Sequence, residues 1–226
     1  MTGLDEKAVL IVVAGGAGKR FGGDKLMAQL CGKPVFVHTL ARLAPAAKRV
    51  VLVVPAGREK EFRDAVALHL PGLKLKIVAG GEHRPGSVRN GIAAAELDMR
   101  ELAAVHDAAR PLATPELLKK LCRKALEVGG AVPGFPQADA QKLADGNGMV
   151  ISDLPRAGVW NVGTPQVFRA ELLLRAYEAA DVAGCLDDAE AVRRIGGKVA
   201  VVPSDEPNVK ITVPADLAAV EALLSR

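Results

Sequence analysis

Apolar and polar positions fall into alternating blocks along the chain. Short runs of aliphatic and β-branched residues occur at 8–13 (A-V-L-I-V-V), 49–54 (R-V-V-L-V-V), 74–79 (K-L-K-I-V-A), 102–106, 130–133 and 198–202, and each is short enough for a buried strand. Stretches with helical periodicity lie between and after them, at about 34–44, 57–69, 85–98, 114–128, 169–180, 187–195 and 214–225. Pro34, Pro115 and Pro214 stand where three of these helices should start, and Thr114 is placed to cap the second. Continuous apolar strands separated by crossover helices predict an α/β fold, doubly wound, with a mainly parallel sheet covered on both faces. At 226 residues the chain reads as a single domain with a substantial core.

The first strand breaks at once into A-G-G-A-G-K-R-F-G-G-D-K, residues 14–25. Gly15, Gly16 and Gly18 leave main-chain N–H groups open to an anion, and Lys19, Arg20 and Lys25 add positive charge. Two familiar phosphate loops do not fit. The nucleoside-triphosphatase loop requires Gly where Val13 stands and Ser or Thr where Arg20 stands; the dinucleotide fingerprint requires a third glycine at Phe21. A dehydrogenase is further disfavoured because the second strand ends in Val54-Pro55 without an acidic residue for a ribose. The plain alternative is a tight turn with solvated basic residues.

Composition narrows the ligand class. Aromatic residues make up 3% of the chain and the net charge of +4 is dispersed, so stacking platforms and basic stripes for nucleic acid are lacking and small anions are favoured. Cys31, Cys122 and Cys185 are widely spaced with no C-x-x-C pair, which suits reduced thiols in a cytoplasmic protein. No run approaches a membrane span.

Two further stretches follow strands, where ligands of such sheets bind. In A-G-G-E-H-R-P-G-S-V-R-N-G, residues 79–91, the backbone at Gly80 and Gly81 could read the edge of a base, and Ser87 could cap a helix or contact ligand. In V-H-D-A-A-R-P, residues 105–111, Asp107 is placed for Mg²⁺, which commonly takes one or two carboxylates plus phosphate oxygens, and Arg110 could hold a second phosphate or pair with Asp107.

The ordered series G-x-G-x-R…K (Gly16, Gly18, Arg20, Lys25), G-G-E-x-R-x-x-S-V-x-x-G, H-D-A-A-R-P, R-x-G-x-W-x-x-x-T-P-Q (Arg156 to Gln166) and N-V-K-I-T-x-P-x-D-L (208–217) resembles the 2-C-methyl-D-erythritol 4-phosphate cytidylyltransferase family, with its ribitol 5-phosphate relatives. The resemblance spans about residues 8–225. It implies a Rossmann-like nucleotidyltransferase fold and the reaction of CTP with an alditol phosphate to give a CDP-alditol and pyrophosphate. It further implies that Ala14, Gly80, Gly81 and Ser87 read cytosine, that Arg20, Lys25 and Lys210 are catalytic on the triphosphate, and that Asp107 carries Mg²⁺. Thr164 would join the substrate-binding residues. A β-arm at about 136–160, turning at D-G-N-G (145–148), would reach into the partner of a homodimer, so that Arg156 of one subunit and Arg110 of the other hold the acceptor phosphate. A non-catalytic nucleotide binder on the same fold would have no use for Arg20, Lys25, Asp107 and Lys210 together.

Three positions depart from the family pattern. Ala140 replaces the threonine of D-T-x-K, Leu186 replaces the threonine before Asp187-Asp188, and Pro207 replaces an aspartate, so that a second metal carboxylate would come from Glu206, from Asp205 or from nowhere. Ala140 and Leu186 bear on the acceptor and not on CTP.

Overall fold

The computed structural model describes residues 6–15, 20–155, 157–179, 182–204 and 207–225. From the N-terminus come β1 (Ala8–Val13), β2 (Gln29–Leu30), β3 (Lys33–Pro34), α1 (Val35–Leu43), β4 (Arg49–Val54), α2 (Glu59–His69), β5 (Lys76–Ala79), α3 (Arg84–Ala95) and β6 (Leu102–Asp107). Then follow α4 (Pro115–Val128), β7 (Gly130–Pro136), β8 (Lys142–Ala144), β9 (Val150–Asp153), β10 (Trp160–Val162), β11 (Gln166–Arg169), α5 (Ala170–Ala179), α6 (Asp188–Arg194), β12 (Val199–Pro203) and α7 (Pro214–Leu224). Thr114 caps α4 by accepting from Leu117 N, as its position predicts, and α7 starts at Pro214. At Pro34 the prediction is off by one residue: the proline ends β3 and caps α1 instead of opening it.

The main sheet has the order β10-β7-β11-β6-β1-β4-β5, with β12 beside β7. Strands β6, β1, β4 and β5 are parallel, as are β7 and β12, whereas β11 runs antiparallel between β6 and β7. Strand β11, Q-V-F-R, was not legible: four residues running straight into α5 merge with that helix's own pattern.

The period of two along each strand makes both cores. Ala8, Leu10, Val12, Leu52, Leu102 and Ala104 face α1, α2 and α4; Val9, Ile11, Val51, Val53, Ala103 and Val105 face α3, α5 and α6. A third, smaller cluster, with Leu30, Val35, Leu112, Ile211 and Val220, docks α7 beside β2 and the start of α1.

The arm is present and its base is longer than a hairpin alone. β7 continues to Pro136 and pairs with β10, and beyond this stem β8 and β9 pair through Lys142↔Asp153 and Leu143↔Ser152. Asp145 Oδ1 accepts from Asn147 N and Met149 N at 2.9 Å, and Gly148 takes a φ of +82°, so the D-G-N-G turn forms where the sequence puts it. Leu143, Met149, Val150 and Ile151 are all exposed on it.

Helix α3 approaches β1 and β4 closely at Gly91, where an added Cβ would lie 2.5 Å from Ile11 Cγ2 and 2.9 Å from Val53 Cγ2. Alanine favours a helix over glycine by up to about 1 kcal/mol, but forcing a methyl against two fully buried β-branched chains costs about 1–3 kcal/mol. Gly91→Ala should therefore lower Tm, by roughly 2–4 °C per kcal/mol of net loss for a chain of this size. A thermal melt with Tm unchanged or raised would mean that α3 can move off the sheet.

Candidate active site

The carboxyl ends of the parallel strands line up because their ladder continues one residue past each strand. Ala14 N donates to Val53 O at 2.7 Å, Gly80 N to Val54 O at 2.7 Å, and Ala108 N to Val13 O at 3.0 Å. Above them lies a cavity of about 510 Å³ walled by Gly15, Lys25, Val54, Gly80, Gly81 and Ser87. It runs on, past shared residues including Gly15, Lys25 and Gly81, into a cavity of about 110 Å³ whose lining adds Arg84, Asp107 and Lys210.

Ser87 occupies the space that the glycines vacate. A Cβ on Gly80 would lie 2.8 Å from Ser87 Oγ, one on Gly15 3.3 Å from it, and one on Gly81 2.9 Å from Gly86 C. Ser87 is not the helix cap that its position allowed: His83 is the N-cap of α3, and Ser87 Oγ accepts from Gly81 N at 3.1 Å. The hydroxyl thus clasps the glycine loop and faces both cavities.

Asp107, the last residue of β6, meets three cations. Lys210 Nζ lies 2.8 Å from Oδ2, Arg110 Nε 3.5 Å from Oδ2, and Arg84 Nε 3.5 Å from Oδ1. Burial alone would raise the Asp107 pKa, but these cations, Lys210 foremost, hold it well below the usual carboxylate range. Lys25 is half-buried beside the group, and its pKa is lowered by burial and by Lys210, then by Arg20 and Arg110, against the pull of Asp107. The site carries more positive charge than one aspartate balances. Arg20 is exposed, and near enough to Lys25 to act on its pKa.

Thr164 supports the site from behind. Its Oγ1 accepts from Asp107 N at 3.0 Å and donates to His106 Nδ1 at 3.0 Å, while His106 Nε2 donates to Arg110 O at 3.2 Å. The Thr164 hydroxyl is thereby engaged within the protein, which makes it a support for Asp107 before it is a donor to a ligand. Asn208 Nδ2 donates to Thr164 O at 2.7 Å, and the Asn208 carbonyl accepts from Arg110 Nη1 at 2.7 Å.

The sequence did not single out Arg84 or Asp188. Arg84 forks onto the fully buried Asp188 at 3.2 and 2.8 Å while facing Asp107, and Tyr177 Oη donates to Asp188 at 2.5 Å. Arg84 is visible in the G-G-E-x-R pattern, but its partner is 104 residues away, so the pairing has no local signal. Gln166 of T-P-Q ties α6 down through Asp187 and Ala189 N. Gly16, Gly18 and Arg156 lie outside the described residues, as do Asp205 and Glu206. Ala140 and Leu186 are exposed, Leu186 at 93%.

Among the described residues no three His, Cys, Asp or Glu side chains converge as a metal nest. A lone carboxylate such as Asp107 suits a cation that draws its other ligands from phosphate oxygens and water, as Mg²⁺ does.

His106 is fully buried and its pKa is pushed down to about 4, chiefly by desolvation. Its folded value lies below the ordinary 6.5, so protonation favours the unfolded chain. Stability is then complete above about pH 6.5 and declines as pH falls toward 4, by on the order of 3 kcal/mol. The Asp107 contribution is lost only below its ordinary 3.8, whereas His38, also lowered, shares the upper window. Urea titrations between pH 4.5 and 7 should therefore show a flatter pH slope for His106→Asn than for the wild type. Parallel slopes would mean that His106 does not titrate as a buried neutral ring.

The family model for 2-C-methyl-D-erythritol 4-phosphate cytidylyltransferase matches residues 8–226. A protein of that name from Cereibacter sphaeroides is 40% identical over 95% of this chain and 96% of its own length, and one from Aquifex aeolicus is 38% identical over 95% and 96%. Among solved structures, the 2-C-methyl-D-erythritol 4-phosphate cytidylyltransferase of Thermus thermophilus superposes with a TM-score of 0.77 at 31% identity, covering 96% of this chain and 98% of that one. The 4-diphosphocytidyl-2C-methyl-D-erythritol synthase of Anaerococcus prevotii gives 0.83 at 26% identity, covering 98% and 100%. With the site's residues drawn from the motifs of that family, and the match running through nearly the whole chain, this protein belongs to the 2-C-methyl-D-erythritol 4-phosphate cytidylyltransferase family.

Proposed function

We propose that this protein joins CTP to 2-C-methyl-D-erythritol 4-phosphate, forming the CDP-alditol and releasing pyrophosphate for isoprenoid precursor synthesis. The observation that carries the reading is the continuity of the two cavities. A chamber walled by Gly80, Gly81 and Ser87 opens into one where Lys25, Lys210 and Asp107 converge. Cytosine would be read in the first by the backbone around Ala14, Gly80 and Gly81 and by Ser87, and the triphosphate would lie along Arg20, Lys25 and Lys210. The uncompensated positive charge there is what a triphosphate relieves.

An acceptor phosphate oxygen displaces pyrophosphate at the α-phosphorus: one P–O bond forms as the bond to the β-phosphate bridge breaks. The acceptor is largely dianionic near neutral pH, its second pKa being about 6, so no general base is required. That agrees with His106 being walled off behind Asp107. What the protein supplies is alignment and charge. Lys25 and Lys210 would stabilise charge on the α-phosphate and the departing pyrophosphate, and Arg110 would hold the acceptor phosphate, joined by Arg156 of a second subunit. Asp107 would hold Mg²⁺, which when bound supplies charge neutralisation across the phosphate oxygens.

The exposed apolar side chains on the arm support a homodimer, since a hairpin of this size is marginal alone. Cytoplasmic residence suits reduced thiols at Cys31, Cys122 and Cys185.

Pyrophosphate release from CTP and Mg²⁺ should occur with 2-C-methyl-D-erythritol 4-phosphate. Turnover with ribitol 5-phosphate alone would show that Ala140 and Leu186 mark another acceptor, and turnover with neither would sink the reading. Lys25→Ala should cut kcat by about 10²–10³, the usual loss for one positioned charge-stabilising group, with the fold intact by circular dichroism. In sedimentation, Ile151→Asp should shift the protein from dimer to monomer; a wild-type monomer at micromolar concentration would remove the arm's assigned role.

A further inference from the structure

On the wall of the larger cavity, opposite the glycine–serine clasp, stand Arg58 and Asp24, and neither has a part in the chemistry above. Arg58 precedes α2 and is held from two sides. Its Nε and Nη2 fork onto both oxygens of Glu61 at 2.7 Å, and its guanidinium lies 5.4 Å over the ring of Phe62. Phe62 is fully buried and packs on Phe36 with ring centroids 4.7 Å apart. An arginine held like this is a fixed post.

The post reaches one further carboxylate: Arg58 Nη2 lies 2.5 Å from Asp24 Oδ2. Asp24 also shapes its own segment. Its Oδ1 accepts from Leu26 N at 3.1 Å and Met27 N at 3.3 Å, and its carbonyl accepts from Ala28 N at 3.0 Å. Upstream, Gly22 has a φ of +76°, and an added Cβ on Gly22 or Gly23 would meet nothing within 4 Å. Phe21 packs against the small core cluster of Leu30 and Val35, the two glycines after it make no such contact, and Asp24 is the next anchor, directly before Lys25. From there Leu26, 4% exposed, is already in the core.

We propose that Arg58 is a positioning residue for Lys25, acting through Asp24: the ion pair fastens the end of the glycine loop to α2 and so aims the Lys25 amine at the phosphate cavity. The inference rests on the cytidylyltransferase reading for its catalytic consequence, but the tether is a property of the chain itself. The carboxylate and guanidinium are each about one-third exposed, at 35% and 34%, and pairs so exposed add little to global stability. The role is therefore local: after the glycine pair, the ion pair fixes the chain beside the residue whose charge must be placed.

The test compares Arg58→Ala, Asp24→Asn, Arg58→Lys and Glu61→Gln in the full-length enzyme. Arg58→Ala and Asp24→Asn should each lower kcat about tenfold, within the range a misplaced group costs, with Tm almost unchanged. The double variant should fall no further than either alone. Arg58→Lys should recover part of the loss, because it keeps the charge without the fork, and Glu61→Gln should leave kcat as it was. On a Lys25→Ala background Arg58→Ala should have no further effect, since nothing remains to be aimed. Normal kcat in Arg58→Ala, a raised KM for CTP at unchanged kcat, or an undiminished effect on the Lys25→Ala background would each overturn the proposal. Labelling of Lys25 by an amine-acylating reagent, read by peptide mass spectrometry, needs no substrate: it should rise in Arg58→Ala and Asp24→Asn and not in Glu61→Gln. Unchanged labelling overturns the tether whatever the turnover. A wild-type protein without turnover overturns the cytidylyltransferase reading instead.

Discussion

Asp107 meets cations from three segments far apart in the chain: Arg84 at the start of α3, Arg110 after β6, and Lys210 ahead of α7. A nearly buried carboxylate must be paired, and a cation carried into the same space must be paired as well. The two demands are met together only if the three segments close over the end of β6. That requirement places the glycine–serine loop on one side of the cavity and the Asn208–Lys210 segment on the other, and it leaves Lys25 facing a surplus of positive charge. Such pairs add little net stability. What they fix here is arrangement.

Behind this cluster the polar contacts form a second tier. His106, Thr164 and Asn208 are buried; His106 and Thr164 bond to the backbone of Arg110 and Asp107, and the Asn208 main-chain carbonyl accepts from the Arg110 guanidinium. Arg84 extends the connection through Asp188 to Tyr177 and so to α5 and α6. The two ends of the cluster are therefore joined by one chain of charge-assisted contacts, with Asp107 in the middle.

The local half of this could be read from sequence. Strands β1 and β4 match their predicted limits, because a run such as A-V-L-I-V-V has one physical solution when both faces are covered. The D-G-N-G turn and the Thr114 cap are likewise fixed by residues next to one another. Helix α3 stops at Ala95, short of the predicted 98, because Glu96 takes a φ of +49°, and a glutamate gives no warning of that. The antiparallel β11, the turning of Thr164 toward His106, and the Arg84–Asp188 fork all depend on partners more than thirty residues distant. Periodicity has no access to contacts of that range. The motif of the glycine loop named Lys25 but could not show what holds it, since Arg58 lies in an ordinary helix start.

The stem of the arm has a mechanical consequence. β10 ends at Val162, and two residues on, Thr164 holds the backbone of Asp107 through its hydroxyl. Between them Gly163 N donates to Pro133 O at 3.0 Å, which ties the strand to β7, the arm's other limb. The arm is thus a lever with its short end at Asp107 and its long end in solvent. The stem and the Asp107 amide are therefore coupled through two residues of backbone and one hydroxyl.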